Sequence, residues 1–124
     1  GDFVGGMLKY LDTHPVPWLT IAGGFAKLTK LAQGHMDLHS GRSQVDFEGL
    51  AQMVRDLGGA EQVVQQVRGA NTANETLRIA SGLPLGKTVA AAARSAALAR
   101  LSAPIALDVL VTDREGRTVG HVGP

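Results

Sequence analysis

WLTIAGGFAKLTKLAQG, residues 18–34, decides the fold class. Trp18 to Ala22 form a short, apolar, β-prone run, which predicts a buried strand. Gly23 and Gly24 end it. Phe25, Leu28, Leu31 and Ala32 then recur at helical spacing and predict a helix over 25–33. Gly34 stands where a helix takes its left-handed C′ residue. A strand that turns through glycine directly into a helix belongs to an α/β domain.

Upstream of that unit, Phe3, Val4, Met7, Leu8 and Leu11 predict a helix over 3–12, broken by Pro15 and Pro17. GDFVGG, residues 1–6, reads as a glycine turn running into this helix. Such a turn usually follows a strand, so residues 1–124 read as a single α/β domain that is either cut from a longer protein, with its first strand or a whole domain upstream, or begins with a short ordered N-terminus. Downstream, 35–42 read as an irregular connection. Ser43 with Asp46 resembles a capping box for a helix whose apolar face is Phe47, Leu50, Ala51, Val54 and Leu57. Gly58 and Gly59 stop that helix. Ala60, Val63, Val64 and Val67 mark a shorter one, and Thr72 with Glu75 forms a capping-box pair opening the next. An alanine-rich helix over 85–101 has a face thin enough for its backbone to lie close to a sheet. IALDVLVT (105–112) and RTVGHV (117–122) flank DREG, a tight hairpin turn. The expected architecture is a three-layer α/β/α domain with a small, mostly parallel sheet and an antiparallel C-terminal hairpin.

Composition narrows the function classes. The chain has 124 residues, 44% hydrophobic and 19% charged, enough for one real core. A net charge of +1 gives no global footprint for nucleic acid or an anionic membrane. The absence of cysteine excludes disulfides, thiolate metal sites and cysteine nucleophiles. No apolar run is long enough to span a bilayer and no secretory leader is visible, which makes the cytoplasm the default location.

Several motifs invite chemistry. GLPLGKT, residues 82–88, has three residues between Gly82 and Gly86 where a P-loop needs four, and it follows a helix rather than a strand. It reads as a helix–helix turn. Gly23 and Gly24 sit where a strand ends and a helix begins, a place where ligands gather in open α/β sheets. They either line a ligand or only save space. Lys27 and Lys30 lie about one turn apart and form either a clamp for an anion or a solvated face. His35 and His39 have i, i+4 spacing, but Gly34 and Gly41 bracket them and no HExxH is present, so no metal site is expected. His39 is suited to proton transfer or to ordering its loop, and adjacent Ser40 cannot easily pair with it.

Taken in order, GDFVGGMLK, TIAGGFAKLTKLAQGHMDLHS, ANTANETL and VLVTDREGRTVG resemble the C-terminal portion of the CbiD family, cobalt-precorrin-5B C(1)-methyltransferases of cobalamin biosynthesis. The resemblance runs from Gly1 to Gly120. It implies methyl transfer from S-adenosylmethionine to a cobalt-containing tetrapyrrole, with an N-terminal domain as partner and no metal of the protein's own. It assigns Gly1, Asp2, Gly5, Gly23 and Gly24 to the donor, and Lys27, Lys30 and His35 to the carboxylate-fringed acceptor. His39 and Ser40 become the catalytic candidates. Against the family pattern, Asp2 replaces asparagine, Ala26 a glycine and Leu38 a threonine. The rival readings are a non-catalytic donor- or corrinoid-binding module, and an unrelated α/β domain binding a small anion at Gly23 and Gly24.

Overall fold

Three strands, each with one apolar and one polar face, organise the chain. The computed structural model describes residues 4–37 and 44–124. Strand β1 is Trp18–Gly24, β2 is Ala106–Thr112 and β3 is Thr118–Val122, in the order β1-β2-β3. β1 and β2 are parallel, in register from Trp18 opposite Ala106 to Gly24 opposite Thr112. β3 returns antiparallel to β2, with a bulge between Val111 and Thr112. The sheet therefore has one parallel and one antiparallel pair.

The hairpin turn forms as its sequence predicts. Asp113 Oδ1 accepts the N–H groups of Glu115 and Arg117, each at 2.9 Å, and Gly116 takes φ +81°. Asp supplies the local acceptor and glycine the left-handed step.

The helices are α1 Val4–Thr13, α2 Phe25–Ala32, α3 Phe47–Asp56, α4 Glu61–Arg68, α5 Ala73–Ile79 and α6 Leu85–Leu98. On one face of the sheet, Leu107, Val109 and Val111 are fully buried. α2 and α6 pack side by side against that face, α2 through Phe25, Leu28 and Leu31, α6 through Val89, Ala90, Ala93 and Ala97. α3 and α5 lie behind them, α3 against α6 and α5 against α2, while α4 bridges α3 and α5. α1 adds Val4 and Leu8 to the same core, and its Asp12 carboxylate accepts the N–H groups of Ser102 and Ala103 beyond α6.

The α/β class and the antiparallel last pair are as expected, but the layers stack differently from α/β/α. The sheet is an outer layer, with two layers of helix on one side of it. Strand alternation explains this. Trp18, Thr20 and Ala22 of β1, Asp108 of β2 and His121 of β3 share the other face, and a face carrying polar groups cannot be covered by apolar helix at low cost. Among the described residues that face is open, with Trp18, Thr20, Ala22 and His121 exposed.

Two helix boundaries also differ. Asp46, not Ser43, caps α3. Its backbone is extended, its carboxylate accepts the Glu48 N–H at 3.0 Å, and the Gln33 side chain brackets its N–H and C=O at 2.8 Å each. Aspartate caps as well as serine, so the tertiary bond from Gln33 selects the start; Ser43 lies outside the described residues. α6 ends at Leu98 rather than 101.

The thin face of α6 has a definite use. A Cβ on Gly86 would lie 2.3 Å from the Val119 carbonyl oxygen, and one on Gly120 would lie 2.4 Å from that of Gly86. Helix and strand therefore meet backbone to backbone. Gly86→Ala or Gly120→Ala should each cost about 2–3 kcal/mol, because the obstructing atoms are main chain and cannot rotate away. Gly82→Ala, which faces open space, should stay within about 0.5 kcal/mol. Urea midpoints at constant slope check both.

Candidate functional site

In open α/β sheets, ligands collect beyond the carboxyl ends of parallel strands. Here that end is marked by Gly24 and Thr112, which pair across β1 and β2. Gly23 is small for a packing reason: a Cβ would meet Leu28 Cδ2 at 2.7 Å. Gly24 has no such constraint. It is the N-cap of α2, nothing lies within 4 Å of its missing Cβ, and no side chain caps the helix there. The positive end of the α2 dipole therefore faces this turn with no side chain capping it.

Lys27 is exposed in the first half of α2, and half-buried Lys30 lies in its last turn. At the far end the chain leaves through a Schellman motif. Gly34 at φ +90° donates to the Leu31 carbonyl at 2.9 Å, and His35 N–H donates to that of Lys30 at 3.0 Å. The length of α2, about 12 Å for its eight residues, therefore separates His35 from Gly24. Gly5 is with His35, not with Gly23: its N–H donates to the Met36 carbonyl at 3.1 Å, and a Cβ would touch Met36 Cβ at 2.9 Å. Gly5 and the Gly23–Gly24 pair, expected to share a donor pocket, lie at opposite ends of α2. Gly1, Asp2, His39 and Ser40 lie outside the described residues. Among the described residues no group of three or more His, Asp and Glu is placed to hold a metal.

Two constellations escaped sequence reasoning. The first is a groove of about 740 Å³ between α5 and the β2–β3 turn, lined by Asn74, Arg78 and Ser81 on one side and Arg114, Arg117 and Val119 on the other. Asp113 directly follows Thr112, so the groove and the Gly24 turn open at the same end of the sheet. The i, i+3 spacing of Glu75 and Arg78 on α5, with Ser81 in the turn that follows, was the available signal.

The second spans the open face of the sheet. Asp108, only 6% exposed, accepts Thr20 Oγ1–H at 2.5 Å and Trp18 Nε1–H at 3.1 Å on Oδ1, with His121 Nε2 at 2.7 Å from Oδ2. An ionised carboxylate only accepts, which places the His121 proton on Nε2. One buried side chain in the central strand thereby ties both neighbours. The Thr20 hydroxyl, then the His121 imidazole, hold the Asp108 carboxyl below its ordinary range against the upward push of burial.

Residues 37–123 match the family model described as CbiD, C-terminal domain. The chain belongs to the CbiD family. It is similar to proteins named cobalt-precorrin-5B C(1)-methyltransferase from three bacteria. That of Paramagnetospirillum magneticum is 57% identical over 97% of this chain and 34% of the relative. That of Rhodospirillum rubrum is 55% identical over 99% and 35%, and that of Methylorubrum extorquens 53% over 94% and 33%. The chain thus spans about a third of the length of these CbiD relatives. No solved structure matches it. Among the described residues no helix is long and apolar enough to cross a membrane.

Because its folded-state pKa is depressed, Asp108 contributes stability that is complete above the ordinary aspartate value of about 3.9. That contribution is lost as pH falls through the lower folded value. Asp108→Asn should melt several degrees below the parent protein near neutrality, with the gap closing as pH falls below about 4. Thermal melts across that range decide it; a gap independent of pH would remove the charge from the account.

Proposed function

We propose that residues 1–124 act as the C-terminal domain of a longer, two-domain enzyme that methylates C(1) of cobalt-precorrin-5B, using S-adenosylmethionine as donor in the cytoplasm. The observation that carries this reading is the end-to-end similarity to proteins of that name, 57% identical over 97% of the chain. Methyl transfer is a displacement at a sulfonium carbon, so the protein has mainly to hold donor and acceptor in line. The demand suits a chain without cysteine.

Within that enzyme, Gly23 and Gly24 approach the donor, where the positive end of the α2 dipole, with no side-chain cap, favours its carboxylate. Lys27 and Lys30 meet the acidic fringe of the acceptor, and His35 lies at the far end of the same helix. Gly1, Asp2 and Gly5 belong to the donor side in the family assignment, although the contact of Gly5 with Met36 puts it nearer His35. His39 and Ser40 remain the candidates for proton handling. The N-terminal two thirds of the relatives' length supply the rest of the site.

The test has two parts. S-adenosylhomocysteine should bind this chain saturably in a calorimeter. The protein extended to the length of its relatives should yield a singly methylated product from cobalt-precorrin-5B in mass spectra. No methylation by that longer protein would defeat the reading. Replacing Lys27 and Lys30 together by alanine should weaken tetrapyrrole binding about tenfold or more without lowering the melting temperature; unchanged binding would remove the clamp.

A further inference from the structure

The groove between α5 and the β2–β3 turn has acidic and basic walls, but its charges are unequally engaged. Asp113 is turned inward, where its Oδ1 takes two backbone N–H groups and its Oδ2 accepts Arg117 Nε–H at 2.9 Å. Glu75 is spent on the start of α5, with Oε2 accepting the Asn71 N–H at 3.2 Å. Arg117 is held by Asp113 and, at 3.4 Å, by Glu115. Of the remaining two guanidinium groups, one is held only loosely and one is unpaired among the described residues. Arg78 comes no nearer than 3.9 Å to Glu75 and its side chain is 73% exposed. Arg114 is exposed, and no hydrogen bond or ion pair involves it among the described residues.

These two cations stand on opposite walls. Arg78 projects from a helix, and Arg114 from a turn whose backbone is fixed by the Asp113 bonds. A guanidinium pairs with a carboxylate through two parallel N–H bonds, so two of them across one groove select a ligand with more than one carboxylate. Asn74 and Ser81 add neutral hydrogen-bonding groups, and Leu77 and Val119 give apolar surface between the charges. A volume of about 740 Å³ is that of a site for a sizeable small molecule.

We infer that this groove is a polycarboxylate-binding site, with Arg78 and Arg114 each gripping one carboxylate of the ligand. It rests on the methyltransferase reading for one point only, that the carboxylates in the complete enzyme are those fringing the tetrapyrrole acceptor. The groove lies at the carboxyl end of the parallel strand pair, as the Gly24 turn does, so acceptor and donor would approach from the same end of the sheet.

Calorimetric titration of the chain with tricarballylate and with uroporphyrin III tests this. The first probe carries three carboxylates and no macrocycle; the second carries eight on a tetrapyrrole. Both should bind the parent protein saturably. Arg78→Ala and Arg114→Ala should each weaken binding about tenfold, and the double variant about a hundredfold, at unchanged melting temperature. Arg114→Lys, which keeps the charge and loses the fork, should fall between. Equal affinity of the double variant and the parent, or no saturable binding of either probe to the parent, overturns the site. Neither titration uses the methyl donor, so failure here leaves the methylation assay standing, and failure of that assay leaves a bound tricarballylate unexplained by anything but the groove.

Discussion

The parallel pairing of β1 with β2 is the constraint on which the rest of the chain depends. Parallel neighbours cannot be joined by a tight turn, so everything from Phe25 to Ile105 is one crossover connection. That connection holds five helices, and all have to return the chain to the amino end of the sheet. The entropy of closing so long a loop grows only slowly with its length, which is why the intervening helices can be many. What the pairing cannot relax is direction. The start of α2, the start of α6 and the β2–β3 turn are all brought to one end, and His35 and the close of α6 to the other.

Packing then decides which face of the sheet is used. Leu107, Val109 and Val111 alternate with Asp108 along a single strand, so helices settle on one side and a hydrogen-bonded carboxylate occupies the other. On the covered side, small residues are as informative as large ones. The alanines of α6 and the contact of Gly86 with Gly120 bring main chain to main chain, which fixes the β2–β3 hairpin against the helix rather than leaving it at a side chain's length. The position of the turn, and of the arginine it carries, follows from that contact.

Much of this was legible before any coordinates. Periodicity, composition and capping pairs located each helix and strand among the described residues, Gly34 announced its left-handed cap, and Thr72 with Glu75 announced the start of α5. The Thr72 hydroxyl accepts the Glu75 N–H as expected, but the Glu75 carboxylate accepts the N–H of Asn71 rather than that of Thr72. Local signals failed where a distant residue casts the deciding vote. Asp46 became a cap because Gln33 holds its backbone. The Asp108 network joins residues from three strands, the groove joins a helix to a hairpin, and no spacing rule reaches across such separations. The layer order was legible in principle, because Trp18-Leu19-Thr20-Ile21 alternates, but a short apolar run is easily taken for a strand buried on both faces. The family was recognised from the order of motifs along the chain, and the family model agrees with it. Gly5 and Gly23, grouped by that resemblance, are separated by the length of α2, because Gly5 follows Met36 and not Gly23.

Trp18 has a consequence of another kind. It is the chain's one tryptophan, 54% exposed, with its indole N–H bonded to the central strand. The chain therefore carries a single indole fluorophore, seated on the sheet face turned away from the packed helices. Its emission on denaturation times the parting of β1 from β2, while the far-ultraviolet dichroism times the loss of the helices. Coincidence of the two signals is the criterion for one cooperative unit, and a lag between them would expose the sheet and the helical layers as separable.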